Sequence, residues 1–222
     1  MNKKANFLSI LVGYLGAMLG LYGVICFNQY VLRSLPVAGR LACLITMYWL
    51  PALIPMIIMW KTKSKPANLG FTKENLPRQV LVGILLGVTM SLFFTLVPHL
   101  VGLGAFVDNG HRYQAFWPII SEFPYCILAV GAVEELLFRG FFYHKLQQLV
   151  SSEAAAILIS SLLFGLFHIF SGNILQIIMT ALLGIFWCLC RKKIKYCTTL
   201  SLILAHGIYD AMISLWAFLF LQ

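Results

Sequence analysis

Acidic residues are scarce in this chain. Of its 222 residues only seven are Asp or Glu, against sixteen Lys or Arg, and charged residues make up 10% of the whole. With 61% hydrophobic residues and a mean hydropathy of +0.90, the chain is too apolar for a soluble domain. Other absences narrow the chemistry. There is no His-Glu-x-x-His pair to hold a protease zinc and no Gly-x-Ser-x-Gly nucleophile turn. No second Asp joins Asp210 within an apolar run, so an aspartyl dyad is excluded. None of the six cysteines forms a Cys-x-x-Cys pair, and Cys26, Cys43, Cys126 and Cys188 lie in apolar runs. They read as small membrane residues with no disulfide framework. The net charge of +9 has no basic face with interleaved aromatics behind it, so nucleic acid is not a partner. The positive residues sit in short loops, where they set topology and meet anionic lipid headgroups.

What is present is apolar runs of about 20 residues, the length of a membrane-crossing helix. They are continuous rather than alternating, which excludes a β-barrel. The expectation is an all-α, polytopic transmembrane bundle of about seven spans. Their approximate limits are 6–27, 41–60, 79–101, 117–150, 153–170, 174–190 and 198–221. Residues 1–222 read as one integral membrane domain of a bacterial plasma membrane, with the first span retained rather than cleaved. Thirteen of the sixteen Lys and Arg fall on one side of such a bundle, leaving Arg33, Arg40 and Arg112 on the other. The positive-inside rule then puts the N-terminus inside and the C-terminus outside.

Against this background Glu134, Glu135 and Arg139 stand out. A charge at bilayer depth costs roughly 2.5–3.5 kcal/mol on insertion scales, and such groups mark functional sites when partners can be named. On a helix Glu135 and Arg139, four apart, share a face and form an internal ion pair, with the acid N-terminal to the base. Glu134 is turned about 100° away and is the carboxylate left for chemistry. His168, His206 and Asp210 also lie in spans. Glu134 and His168 are each 17 residues from Ser151, in the turn between spans four and five. In an antiparallel hairpin both then lie roughly 25 Å from that turn, at about 1.5 Å per residue. His206 and Asp210 share a face of the last span. His206 lies 12 residues beyond Ile194, roughly 18 Å along its helix, and meets the other two at a similar depth if span four extends some way past the membrane. His99, His111 and His144 fall near span ends or in loops and read as interfacial.

A glutamate with imidazoles can activate water as a general base, while another imidazole donates a proton or steadies an oxyanion. Glu134, His168 and His206 are equally the N/O donors of a catalytic zinc site, so a divalent metal fits the sequence without being required by it. Either route leads to hydrolysis of an acyl bond, most plausibly a peptide bond.

The three motifs Glu134-Glu135-x-x-x-Arg139, Phe164-x-x-x-His168 and His206-x-x-x-Asp210, in that order on successive helices, resemble the CPBP family of intramembrane proteases. That family includes the type II CAAX prenyl endopeptidases and bacterial bacteriocin-processing and self-immunity proteins. The resemblance covers residues 119–215, the expected catalytic core. It implies a site opening toward the cytosol, in which Glu134 activates water with His168, and Glu135 holds Arg139. By the same resemblance His206 and residue 210 steady the oxyanion, with Phe164 in a supporting place. Position 210 is often Asn in the family, and an ionised Asp cannot donate to an oxyanion. The expected function is an intramembrane endopeptidase, metal-assisted or glutamate-based, acting on a peptide or membrane-anchored protein. The alternative is a non-catalytic bacteriocin-immunity or scaffold protein. Transport is disfavoured because the chain lacks paired, interrupted helices in two similar halves.

Overall fold

A computed structural model describes residues 3–104, 107, 113 and 116–220, and no strand occurs among them. Asp108, His111 and Arg112 lie outside the described residues. The helices are α1 (Lys3–Tyr30), α2 (Val37–Met47), α3 (Leu53–Lys61), α4 (Leu76–Leu100), α5 (116–149), α6 (Glu153–Phe167), α7 (Ile174–Lys193) and α8 (Thr199–Phe220). Six stretches among the described residues are long and apolar enough to cross a membrane, and α2 and α3 together supply one of them. The remaining long helix is α5, at 34 residues, and it is the one that carries the charged motif. The protein is an integral membrane helical bundle.

Two departures from regular helix shape the interior. The second expected span is broken at Tyr48–Ala52, where Pro51 offers no N–H and its ring crowds the preceding turn. The α5 helix contains two wide π-turns, Cys126–Gly131 and Leu136–Phe142, on either side of Ala132–Glu135. π-turns loosen the backbone hydrogen bonding and re-aim side chains, and they recur at functional sites. Here the Trp49 indole N–H donates to Leu128 O at 3.1 Å, inside the first π-turn.

The outer faces of the helices are apolar and the inner faces small or polar, as lipid solvation demands. On α1, Leu15 and Leu19 are exposed while Gly13, Ala17 and Val24 are buried. An aromatic core of Phe138, Phe141, Phe142, Phe164 and Phe167 fills the space between α1, α3, α5 and α6. The contact that matters most for the site is between α5 and α8. A Cβ on Gly131 would come within 2.7 Å of Ile203 O, and one on Gly207 within 2.5 Å of Ile127 Cα. Only glycine permits this approach, and it brings His206 up against Ala132–Glu135.

One end of the bundle is tied together by polar bonds. The Arg191 guanidinium donates to Arg139 O at 2.6 Å, and Thr199 Oγ1 donates to Leu69 O at 2.6 Å. Gln79 accepts from Thr198 Oγ1 at 2.6 Å and donates to Glu74 O at 2.6 Å, while Arg78 donates to the Tyr196 hydroxyl at 2.5 Å. This end gathers the loop before α4, the end of α5 and the loop before α8, which hold most of the Lys and Arg. All six cysteines are free.

Candidate active site

The site is assembled from α5, α6, α8 and the break between α2 and α3. Glu134 and Glu135 are both buried, and their carboxylates diverge as expected. Glu135 Oε1 lies 3.1 Å from Arg139 Nη1 and also accepts from His206 Nδ1 at 2.8 Å. It therefore bridges a guanidinium and an imidazole, where the sequence suggested the guanidinium alone. Arg139 Nη1 and Nη2 make no directed hydrogen bond, so this is an ion pair by proximity. The guanidinium carbon also stands 4.2 Å above the Phe164 ring, an arrangement that favours a desolvated cation. Phe164 in turn meets His168 edge-on at 5.1 Å and His206 at 6.0 Å between ring centres. It acts as a wedge fixing the spacing of three site residues.

Glu134 faces the other way. Its Oε1 accepts from the Tyr48 hydroxyl at 2.6 Å, while its Oε2 is buried without a hydrogen-bond partner among the described residues. Two imidazole nitrogens approach Oε2, His206 Nε2 at 3.8 Å and His168 Nε2 at 4.0 Å. The His168 Nδ1 lies 3.0 Å from Phe164 O. A carbonyl can only accept, so Nδ1 carries the proton and a neutral ring turns its Nε2 lone pair toward Glu134. Asp210 Oδ2 is 3.4 Å from His206 Nε2, and its side chain is 27% exposed at the wider end of the site.

The sequence-expected residues Glu134, His168, His206, Asp210, Glu135, Arg139 and Phe164 are thus brought together without exception. Tyr48 was not foreseen. It lies in a span without Asp, Glu, His, Lys or Arg, at the break that precedes Pro51. Trp187, stacked on the His206 ring at 6.0 Å, was equally invisible. Glu122 was legible and overlooked, being an acid within the apolar run that opens α5. It accepts from the Tyr113 hydroxyl, whose pKa burial and the carboxylate push up, so Tyr113 remains a donor. His99 binds its own helix through Thr95 O and His144 pairs with Gln148.

Two cavities meet at Glu134. One, of about 460 Å³, runs between α5, α7 and α8 past Glu122, Tyr125, Thr180, His206 and Asp210. Among the described residues its charged lining consists of carboxylates and imidazoles, with no Lys or Arg. The other, of about 320 Å³, reaches Glu134 and His168 past Leu21, Ile25 and Tyr48. A wider groove of about 770 Å³ beside Met56 and Leu69 contains none of these groups and lies away from the chemistry.

The spacing of these donors does not fit a shared zinc ion. Ligands sharing one zinc at about 2.0–2.2 Å stand roughly 3.4 Å apart in a tetrahedral site. Glu134 Oε2 is farther than that from both imidazole nitrogens, and no group of three His, Cys, Asp or Glu among the described residues is disposed to hold a metal ion.

Residues 116–212 match the family described as Type II CAAX prenyl endopeptidase Rce1-like. Over that region the chain is similar to this family. The match begins at the first residue of α5 and ends two residues beyond Asp210, so it spans every motif of the site except Tyr48. No curated protein and no solved structure matches the chain. The chain is therefore a CAAX-protease-like membrane protein whose finer chemistry rests on the arrangement above.

Proposed function

We propose that the protein is an intramembrane endopeptidase in which Glu134 is the general base. The observation that carries this reading is the Glu134 carboxylate, with one oxygen bound to Tyr48 and the other bare between two imidazole nitrogens about 4 Å away. A water between those groups would hydrogen-bond to Glu134 Oε2 and His168 Nε2 together, a common arrangement for polar groups too far apart to touch. Glu134 takes one proton from that water, and the hydroxide oxygen attacks the carbonyl carbon of the scissile bond. The carbonyl π electrons move to oxygen as the bond to hydroxide forms. The C–N bond then breaks, and the leaving amine takes the proton from Glu134, directly or through His168 Nε2.

His206 serves the oxyanion. Its two ring nitrogens each face a carboxylate, Glu135 at Nδ1 and Asp210 at Nε2, so the cationic ring satisfies both. The Nε2–H then points into the cavity as an oxyanion donor. This gives Asp210 a role that does not need a proton of its own. It steadies the imidazolium and yields the Nε2–H to the oxyanion as charge develops. Tyr48 fixes the rotation of Glu134 so that Oε2, not Oε1, meets water.

The test uses the full chain reconstituted in lipid vesicles, with a prenylated CAAX peptide and unprenylated membrane-anchored peptides as probes. Cleavage by the parent protein that disappears in His168→Ala, with both proteins inserted equally, is the expected result. Equal cleavage by the two proteins would overturn the reading. A binding-only role in immunity predicts instead that protection of cells survives the same substitution.

A further inference from the structure

The direction in which the site opens and the direction expected from the family resemblance disagree. The walls of the larger cavity can be followed along three helices. On α5 its lining runs from Glu134 back to Glu122, on α8 from His206 forward to Ile213, and on α7 from Trp187 back to Gln176. Asn173, in the turn between α6 and α7, and Val107, after α4, complete the rim. All of these paths lead to the end of the bundle opposite the loops of Lys61–Arg78 and Arg191–Lys195. The smaller cavity goes the same way, past Leu21 and Ile25 in the second half of α1 to Phe170 and Ser171.

The other direction is closed. Beneath the site lie Trp187, stacked on His206, and the Glu135–Arg139 pair, each 1% exposed or less. Below them Arg191, Thr199 and Leu69 are joined by the hydrogen bonds that tie the loops together. His206 is only seven residues from the start of α8 at this end, roughly 10 Å, yet the linings of both cavities that reach Glu134 run the other way among the described residues. Thirteen of the sixteen Lys and Arg belong to the closed end, and Arg33 and Arg40 are the described ones at the open end. Such an asymmetry in short loops fixes orientation, because basic residues resist translocation.

We infer that the cavity opens to the extracytoplasmic face, so that its substrate is the translocated part of a membrane-associated polypeptide. This inference rests on the hydrolytic reading for the word substrate, and on the cavity and the charge distribution alone for the direction. A cytoplasmic tail presented at the basic end would meet the closed floor.

The experiment reads topology without using activity. Single substitutions Gln176→Cys at the cavity rim and Lys193→Cys at the basic end are placed in the full chain, and sealed right-side-out membrane vesicles are treated with an impermeant maleimide. Labelling above that of the parent chain is expected for Gln176→Cys in sealed vesicles, and for Lys193→Cys only after detergent. Ser34→Cys, exposed in the loop between α1 and α2, reports the same face should Gln176→Cys not insert. The reverse pattern, or equal labelling of both ends in sealed vesicles, would overturn the inference. Because the labelling requires no turnover, a failed orientation is distinguishable from a failed catalytic role for Glu134.

Discussion

The two ends of this bundle spend polar groups in opposite ways. At the basic end Gln79, Thr198, Thr199, Ser201 and Arg191 all find partners on neighbouring elements. A buried polar group that is hydrogen-bonded is tolerable, and one that is not costs about 1–3 kcal/mol. The cavity side accepts that cost at Glu134 Oε2, beside two imidazoles and a partly exposed aspartate. The contrast separates residues that hold the helices together from residues held ready for a reaction. It also runs through one dipeptide, since Glu135 Oε1 ties an imidazole and a guanidinium together while Glu134 Oε2 stands bare between two imidazoles.

Substitutions can break that comparison, and the largest effect should come from Glu135→Ala. It leaves Arg139 buried without its counter-ion and His206 without an acceptor at Nδ1, and breaking such a buried pair costs about 3–5 kcal/mol. Thermal unfolding in detergent should fall sharply together with cleavage; an unchanged melting profile would place Glu135 outside the structural network. Next comes His168→Ala, where cleavage should drop by about 10²–10⁴-fold with little change in unfolding, since general acid–base groups contribute on that scale. A parallel loss of stability would assign His168 to packing instead. Tyr48→Phe removes a hydrogen bond to a charged group, worth about 1.5–3 kcal/mol, so turnover should fall roughly 10–100-fold with the protein still folded. Turnover equal to the parent would show that Glu134 needs no orienting partner. The smallest effect is expected at the tied end, where Thr199→Val should cost about 1 kcal/mol of stability and leave the rate per folded molecule unchanged.

The helical membrane fold was legible because lipid imposes length and apolarity on every span, and six stretches obey both limits. The helix carrying the motif obeys them least, since its charges are the site. The pairing of Glu135 with Arg139 followed from four-residue spacing, and it persists through a π-turn because such residues still lie on one face. The depth match of Glu134 and His168 followed from equal distances to one turn. The bond from His206 to Glu135 was not legible, because it depends on Gly131 and Gly207 letting two helix backbones close in. Tyr48 escaped for a similar reason: a tyrosine in an apolar span carries no sign of which carboxylate it will meet. The opening of the cavity depends on which helices splay apart, and no spacing along a chain encodes that.

Chelation sharpens the chemical side of the account. Cleavage should persist after exhaustive treatment with a divalent-metal chelator; loss that zinc restores would mean the donors close by about half an ångström around a metal. The most direct test of the central claim is the cleavage rate of Glu134→Gln in the same vesicles as the parent protein, normalised to folded protein. Glutamine preserves the volume and an acceptor for Tyr48 but cannot take a proton from water. The account predicts a protein that inserts and melts like the parent with cleavage at least about a hundredfold slower. Cleavage at the parental rate would contradict it.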